Sequence, residues 1–213
     1  CAPFHWDDTK SYDRGKVMSH NDLETGKDFG RYLDVDGDGI PYRTYPGTHP
    51  TKGGYFTRGT TKDRYARYSE AGPDYVYNME RLLRKFETAK KLVPRPLLTP
   101  ADKPARFGAI FYGSTAPAMY EALDVLSSRG IHVNALRVRG FPFADEIADF
   151  TASHPWVFVV EQNRDAQLKT LLVNEAKVNP SRLLSILHYD GTPITARHIV
   201  EQISQHAAAR TVV

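Results

Sequence analysis

Four strand–helix units in succession, from Phe107 to the C-terminal residues, constrain this chain more than any other feature. Phe107–Tyr112 is a short apolar run followed by Gly113-Ser114-Thr115. Met119, Ala122, Leu123 and Leu126 then recur at helical spacing before Gly130. That order is strand, cap, helix and terminating glycine. Ile131–Val138 reads as a second strand, and Glu146–Phe150 as a short helix after the Phe141-Pro142-Phe143 turn. Trp156–Val160 is continuously apolar, which suits a third strand buried on both faces. Asn163 is expected to cap a helix carrying Leu168, Leu171 and Leu172. Leu183–Leu187 is a fourth strand. Thr192-Pro193 supplies a cap and an N-terminal proline for a last helix with Ala196, Ile199, Val200 and Ile203 inward. The series implies an α/β fold whose mostly parallel sheet carries helices on both faces.

The first half has a different texture. Residues 1–104 hold 9 of the 12 tyrosines and 10 of the 15 glycines. Their one strong helix spans Tyr75–Lys91, with Met79, Leu82, Leu83 and Phe86 as an apolar stripe. Pro94, Pro96, Pro100 and Pro104 stiffen the segment that follows and mark a boundary. The expected organisation is an irregular Gly/Tyr-rich region with one long helix over 1–91, a proline-rich linker over 92–104, and the α/β domain over 105–213.

Charge and cysteine content narrow the function. The 28 Lys+Arg against 25 Asp+Glu leave +3, and no basic run or nucleic-acid-reading motif is present. That excess is local, since residues 1–104 carry 18 Lys+Arg and 15 Asp+Glu. The single cysteine, Cys1, excludes an internal disulfide and a cysteine-ligated iron–sulfur cluster, and points to an intracellular, cytoplasmic setting. No apolar run approaches the ~18 residues of a membrane span, and no charged-then-apolar leader opens the chain. The opening Cys-Ala-Pro-Phe-His-Trp lacks an initiator Met, as expected of a chain that begins part-way through a larger protein.

The block from Asp34 to Gly59 has neither helical nor strand period, yet it is rich in aromatic residues that disordered segments lack. It is expected to form an ordered recognition surface. Asp34-Val-Asp36-Gly-Asp38-Gly39 looks like the opening of a calcium loop, but the twelfth position, where a bidentate Glu belongs, is Tyr45. Turns held by local Asp hydrogen bonds are the alternative. Gly37-Asp38-Gly39 also imitates the start of a magnesium–diphosphate motif, without the asparagines that should close it. Arg43, Lys52 and Arg58 could capture a carboxylate, Arg43 bidentately, or could pair with Asp34, Asp36 and Asp38. Gly113-Ser114-Thr115 and Glu161-Gln162-Asn163-Arg164 sit where open α/β sheets bind ligands, and both also read as helix caps. His188 and His198 have no partner assignable from sequence.

Five stretches in order, 34–50, 55–60, 84–89, 159–165 and 188–197, resemble the α subunit of 2-oxoacid:ferredoxin oxidoreductases of the 2-oxoglutarate type. The resemblance runs through nearly the whole chain. It implies oxidative decarboxylation of a 2-oxoacid to an acyl-CoA and CO2, with electrons passed to ferredoxin. It further implies thiamine diphosphate with Mg between a pyrimidine-binding domain of the α subunit and a diphosphate-binding β subunit, and an iron–sulfur cluster held elsewhere. The family's pyrimidine-binding domain, with its Tyr-Pro-Ile-Thr-Pro-type motif and activating Glu, has no counterpart in this sequence.

Residues 1–91 then correspond to the tail of that region and 105–213 to a transketolase C-terminal-like domain. This chain alone is expected to hold none of the cofactors and to be inactive. Its implied partners are the β subunit, the pyrimidine-binding domain, ferredoxin and CoA. Arg43 is the expected partner of the substrate carboxylate, with Thr48 and His49 shaping the pocket, and no catalytic residue is assigned. Lys62 stands in the Gly59-Thr60-x-x-Asp63 neighbourhood where relatives often have His. Two other readings compete: a non-catalytic α/β assembly module of such a complex, and a calcium-binding module.

Overall fold

The computed structural model describes residues 5–211, so Cys1 and its neighbours lie outside the described residues. The chain divides into two compact units between Lys91 and Leu92.

The first unit contains two helices and much turn structure. Helix α1 (His20–Glu24) is opened by a capping box in which Ser19 accepts from the Asp22 N–H and Asp22 accepts from the Ser19 N–H. Helix α2 (Gly72–Ala89) begins earlier than its apolar stripe because a proline sits in its first turn. Which face it buries departs from expectation. Met79, Leu83 and Phe86 are 40%, 68% and 47% exposed, while Arg81 is buried. The helix packs its polar side onto the aspartate loop: Arg81 Nη1 donates to Gly39 O at 3.1 Å and Thr88 Oγ1 to Asp38 O at 2.6 Å. Met18, Leu23 and Ala66 supply the small apolar core.

The second unit is a five-stranded sheet. Its strands are β1 (Leu97–Thr99), β2 (Phe107–Tyr112), β3 (Val133–Val138), β4 (Trp156–Glu161) and β5 (Leu183–Leu187), in the order β1-β3-β2-β4-β5. The last four are parallel, as the β–α succession requires; β1 joins β3 antiparallel, pairing Leu97 with Arg137. The proline-rich stretch is therefore more than a linker. Its Leu-Leu-Thr has no proline, so it can ladder at an edge, where flanking prolines cost no internal hydrogen bond.

Helices α3 (Ala116–Ser128) and α6 (Ala196–Thr211) cover one face, and α4 (Glu146–Ala152) and α5 (Gln167–Glu175) the other. Strand alternation makes the division: Phe158 and Val160 face Met119, Ile199 and Ile203, whereas Val157 and Val159 face Ile147, Phe150 and Leu172. Burying each such side chain contributes about 1.5–3 kcal/mol. The Thr192-Pro193 cap is displaced. Thr192 is held in a turn by Asp190 Oδ1, and the helix starts after Thr195, whose hydroxyl accepts from the His198 N–H at 3.3 Å. No helix among the described residues is long and apolar enough to cross a membrane.

Candidate functional site

The Asp34–Gly59 block is ordered by backbone pairing at one end. Arg43 N donates to Lys16 O and Met18 N to Arg43 O, both at 2.9 Å, so Val17 and Arg43 form an isolated parallel bridge. Thr44 Oγ1 then donates to Gly53 O at 2.6 Å and closes the loop between them. Tyr45 to Thr48 is a tight turn, in which Thr48 N donates to Tyr45 O at 3.1 Å and Tyr45 N to Thr48 Oγ1 at 3.2 Å.

His49 follows with its side chain only 4% exposed. Its Nδ1 accepts from the N–H groups of Thr51 at 3.1 Å and Lys52 at 2.9 Å. Two donors on Nδ1 leave the proton on Nε2, which donates to the Glu24 carboxylate. His20 stacks on His49 with centroids 4.7 Å apart. The Glu24 carboxyl is held below its ordinary range, first by the His49 hydrogen bond and then by the Lys52 charge. Beside this cluster lies a cavity of about 400 Å³ lined by Thr44, Tyr45, His49, Lys52 and Tyr55 among others.

His20, Glu24 and His49 present donor atoms within 4.8 Å of one another. A His–Glu–His set matches a divalent-metal donor set in type. The tautomer opposes that use, because His49 Nε2 would need a free lone pair and Nδ1 would then carry a proton against two backbone N–H groups.

The three sites expected from sequence separate here. Thr48 braces the turn and His49 lines the cavity. Arg43 turns elsewhere: its Nη2 donates to the Arg14 carbonyl and, at 3.3 Å, to the Tyr45 hydroxyl. Asp34, Asp36 and Asp38 are engaged by other cations, Arg84 on Asp34 at 3.2 Å and Lys16 on both others at 2.6 Å. Asp34 Oδ1 also accepts from Gly39 N at 3.0 Å and Asp38 Oδ1 from Ile40 N at 2.9 Å, which is the turn-bracing use of aspartate. Lys52 goes to Glu24 at 3.4 Å. Arg58 lines a separate hollow with Phe29, Tyr55, Phe56 and Tyr65. Sequence reasoning missed His20 and Glu24; the Ser19-x-x-Asp22 capping pattern would have signalled their helix.

At the carboxyl ends of the parallel strands, the candidate residues serve structure. Glu161 is fully buried and accepts from Leu168 N at 2.7 Å, Lys169 N at 3.2 Å and Asn163 Nδ2 at 2.7 Å, so it caps α5. Asn163 supports it by accepting from Gln167 N at 3.2 Å. Gln162 Nε2 spans to the hydroxyls of Ser114 and Thr115, both at 3.2 Å. Those hydroxyls make no cap on α3. His188 Nε2 bonds Thr192 O at 2.9 Å and His198 Nε2 approaches Leu187 O at 3.3 Å, which brace the loop before α6.

Comparison with known proteins bears on both units. The sequence is 26% identical over 207 residues to subunit alpha of 2-oxoacid:ferredoxin oxidoreductase 2 from Aeropyrum pernix, covering 94% of this chain. The chain resembles a 2-oxoacid:ferredoxin oxidoreductase α subunit. It spans only 30% of that α subunit's length. A solved 2-oxoglutarate:ferredoxin oxidoreductase from Magnetococcus marinus, with 2-oxoglutarate, coenzyme A and succinyl-CoA bound, superposes with a TM-score of 0.72 at 20% identity. The superposition covers 84% of this chain and 31% of that one, and shows a shared fold. No family model matches the chain.

Proposed function

We propose that this chain is the C-terminal part of the α subunit of a thiamine-diphosphate-dependent 2-oxoacid:ferredoxin oxidoreductase of the 2-oxoglutarate type, forming acyl-CoA, CO2 and reduced ferredoxin. One observation carries the reading: the α-subunit match covers 94% of the chain and so runs through the irregular unit as well as the α/β sheet. A generic α/β module would account for the second unit alone.

The cofactors belong to other parts of the assembly in this reading. Asp38, which imitates a magnesium–diphosphate ligand, is committed to Lys16 and Ile40 N. Gly39 lies so close to α2 that even an added Cβ would sit 2.3 Å from Lys85 N, which leaves no room for a diphosphate. One cysteine is too few for a cluster. Thiamine diphosphate, Mg and the iron–sulfur cluster are then held by the pyrimidine-binding domain and by partner subunits, in the cytoplasm, and the chain alone is inactive.

What this chain supplies is substrate recognition around Arg43, Thr48 and His49. The Lys52 ammonium gives the neighbouring cavity a donor suited to an acid, and His49, its own proton committed to Glu24, shapes the wall. Arg43 reaches a substrate carboxylate by releasing one backbone carbonyl and one phenol. The test is viologen reduction by the complete α–β assembly carrying this sequence, supplied with CoA and 2-oxoglutarate, pyruvate or a branched-chain 2-oxoacid. Turnover with 2-oxoglutarate is expected; turnover with none of them overturns the reading in favour of a non-catalytic assembly module.

A further inference from the structure

Among the described residues, Arg81 is a buried cation that forms no direct ion pair. It is 5% exposed, its Nη1 is satisfied by Gly39 O at 3.1 Å, and its Nε has no hydrogen-bond partner among the described residues. Burial pushes the guanidinium below its ordinary range, opposed by Tyr77 and Asp34 and reinforced by Arg31. Asp34 acts on it only at longer range, its oxygens being engaged by Arg84 at 3.2 Å and by Gly39 N at 3.0 Å.

One turn earlier on α2, Asn78 Oδ1 is a second buried atom without a partner among the described residues. The Asn78 Nδ2 is already spent on Lys62 O at 2.8 Å and Asp74 O at 3.2 Å. Both residues line one cavity of about 150 Å³, together with Tyr32, Thr60, Thr61 and Lys62. Lys62 Nζ and Arg81 Cζ lie 5.4 and 5.7 Å from the Tyr32 ring centroid and Arg31 Cζ 5.7 Å, so three cations flank the same ring. Among the described residues, Lys62 forms no ion pair.

A buried charge and a buried acceptor left unpaired by protein at one spot are usually met by ordered water or by a bound group. We propose that this cavity binds a small oxyanion carrying a hydroxyl, hydrogencarbonate being the simplest of the class. Its oxygens accept from Arg81 and Lys62, and its hydroxyl donates to Asn78 Oδ1. The volume excludes larger anions such as nucleotides, which occupy pockets of about 300 Å³ and above. The site is separate from the Arg43–Thr48–His49 region and stands without the oxidoreductase reading.

The full chain would be melted at pH 8 with bicarbonate, acetate or chloride at equal ionic strength. Bicarbonate should raise the melting temperature saturably, by roughly 5–10 °C at about a hundred times its Kd. Acetate, with no proton for Asn78 Oδ1, should bind roughly tenfold more weakly. Lys62→Gln should weaken bicarbonate about tenfold while leaving the anion-free melting temperature unchanged, which separates binding from folding. Asn78→Leu should erase the preference for bicarbonate over acetate. Equal shifts with chloride, or an unchanged bicarbonate Kd in Lys62→Gln, would overturn the proposal.

Discussion

Gly39 should be the least replaceable glycine of the aspartate loop. Its φ is +78°, and a Cβ there would lie 2.3 Å from Lys85 N, 2.6 Å from Arg81 O and 2.8 Å from Lys85 Cα. These are backbone atoms of α2, so no rotamer change relieves the clash. Alanine in the left-handed region costs about 1–2 kcal/mol, and forcing extra volume into a packed contact about 1–3 more. Lifting the loop instead would sacrifice the Arg81–Gly39 and Thr88–Asp38 hydrogen bonds. Gly39→Ala is therefore expected to destabilise the first unit by roughly 2–5 kcal/mol.

Gly37 provides the control. Its φ is +77°, but an added Cβ would meet nothing within 4 Å. Gly37→Ala should lose only the backbone part, about 1–2 kcal/mol. Urea unfolding followed by near-UV circular dichroism reads the first unit preferentially, since it holds 9 of the 12 tyrosines. Equal losses for the two variants would refute the close-contact argument.

Arg43→Ala in the complete α–β assembly should raise KM for the 2-oxoacid roughly ten- to a hundredfold, the equivalent of about 1.5–3 kcal/mol of charge-assisted hydrogen bonding. Arg43→Lys should recover only part of it; an unchanged KM with a lower melting temperature would assign Arg43 to loop packing against Arg14 and Tyr45. Thermal melts with calcium and with chelator should coincide, since Asp34, Asp36 and Asp38 are already engaged by Arg84 and Lys16, and a rise of many degrees with millimolar calcium would restore the calcium-module reading. The lowered Glu24 carboxyl is a group whose stabilisation is complete above its ordinary pKa of 4.5 and disappears as pH falls through the lower folded value. Melting temperature should thus drop on acidification below about pH 4.5, and Glu24→Gln should flatten that slope; an equal slope in both proteins would exclude the His49–Glu24 contact as its source.

How much of this was readable in advance depended on where each segment finds its partners. The parallel strands and their helices were legible because local periodicity and burial agree: Val157 to Val160 alternate between two helix layers. β1 was hidden by its prolines and by being an edge strand of three residues. The cap before α6 was misplaced because Thr192 has a nearer acceptor in Asp190. In the first unit, His49 depends on Glu24, 25 residues away, and no short-range pattern encodes that meeting. The length of α2 was visible, but not its orientation, because its packing partner is a polar loop.

That orientation reverses the usual map of mutational tolerance along a helix. In α2, polar replacements at Val76 or Leu83, exposed by 53% and 68%, remove little buried apolar surface and should leave the isolated fold nearly as stable. The charged position Arg81 is the one where an apolar replacement would strip a donor from Gly39 O and loosen the loop. A scan scored by hydrophobicity alone would rank these positions backwards, taking the exposed apolar stripe for core and the buried arginine for surface.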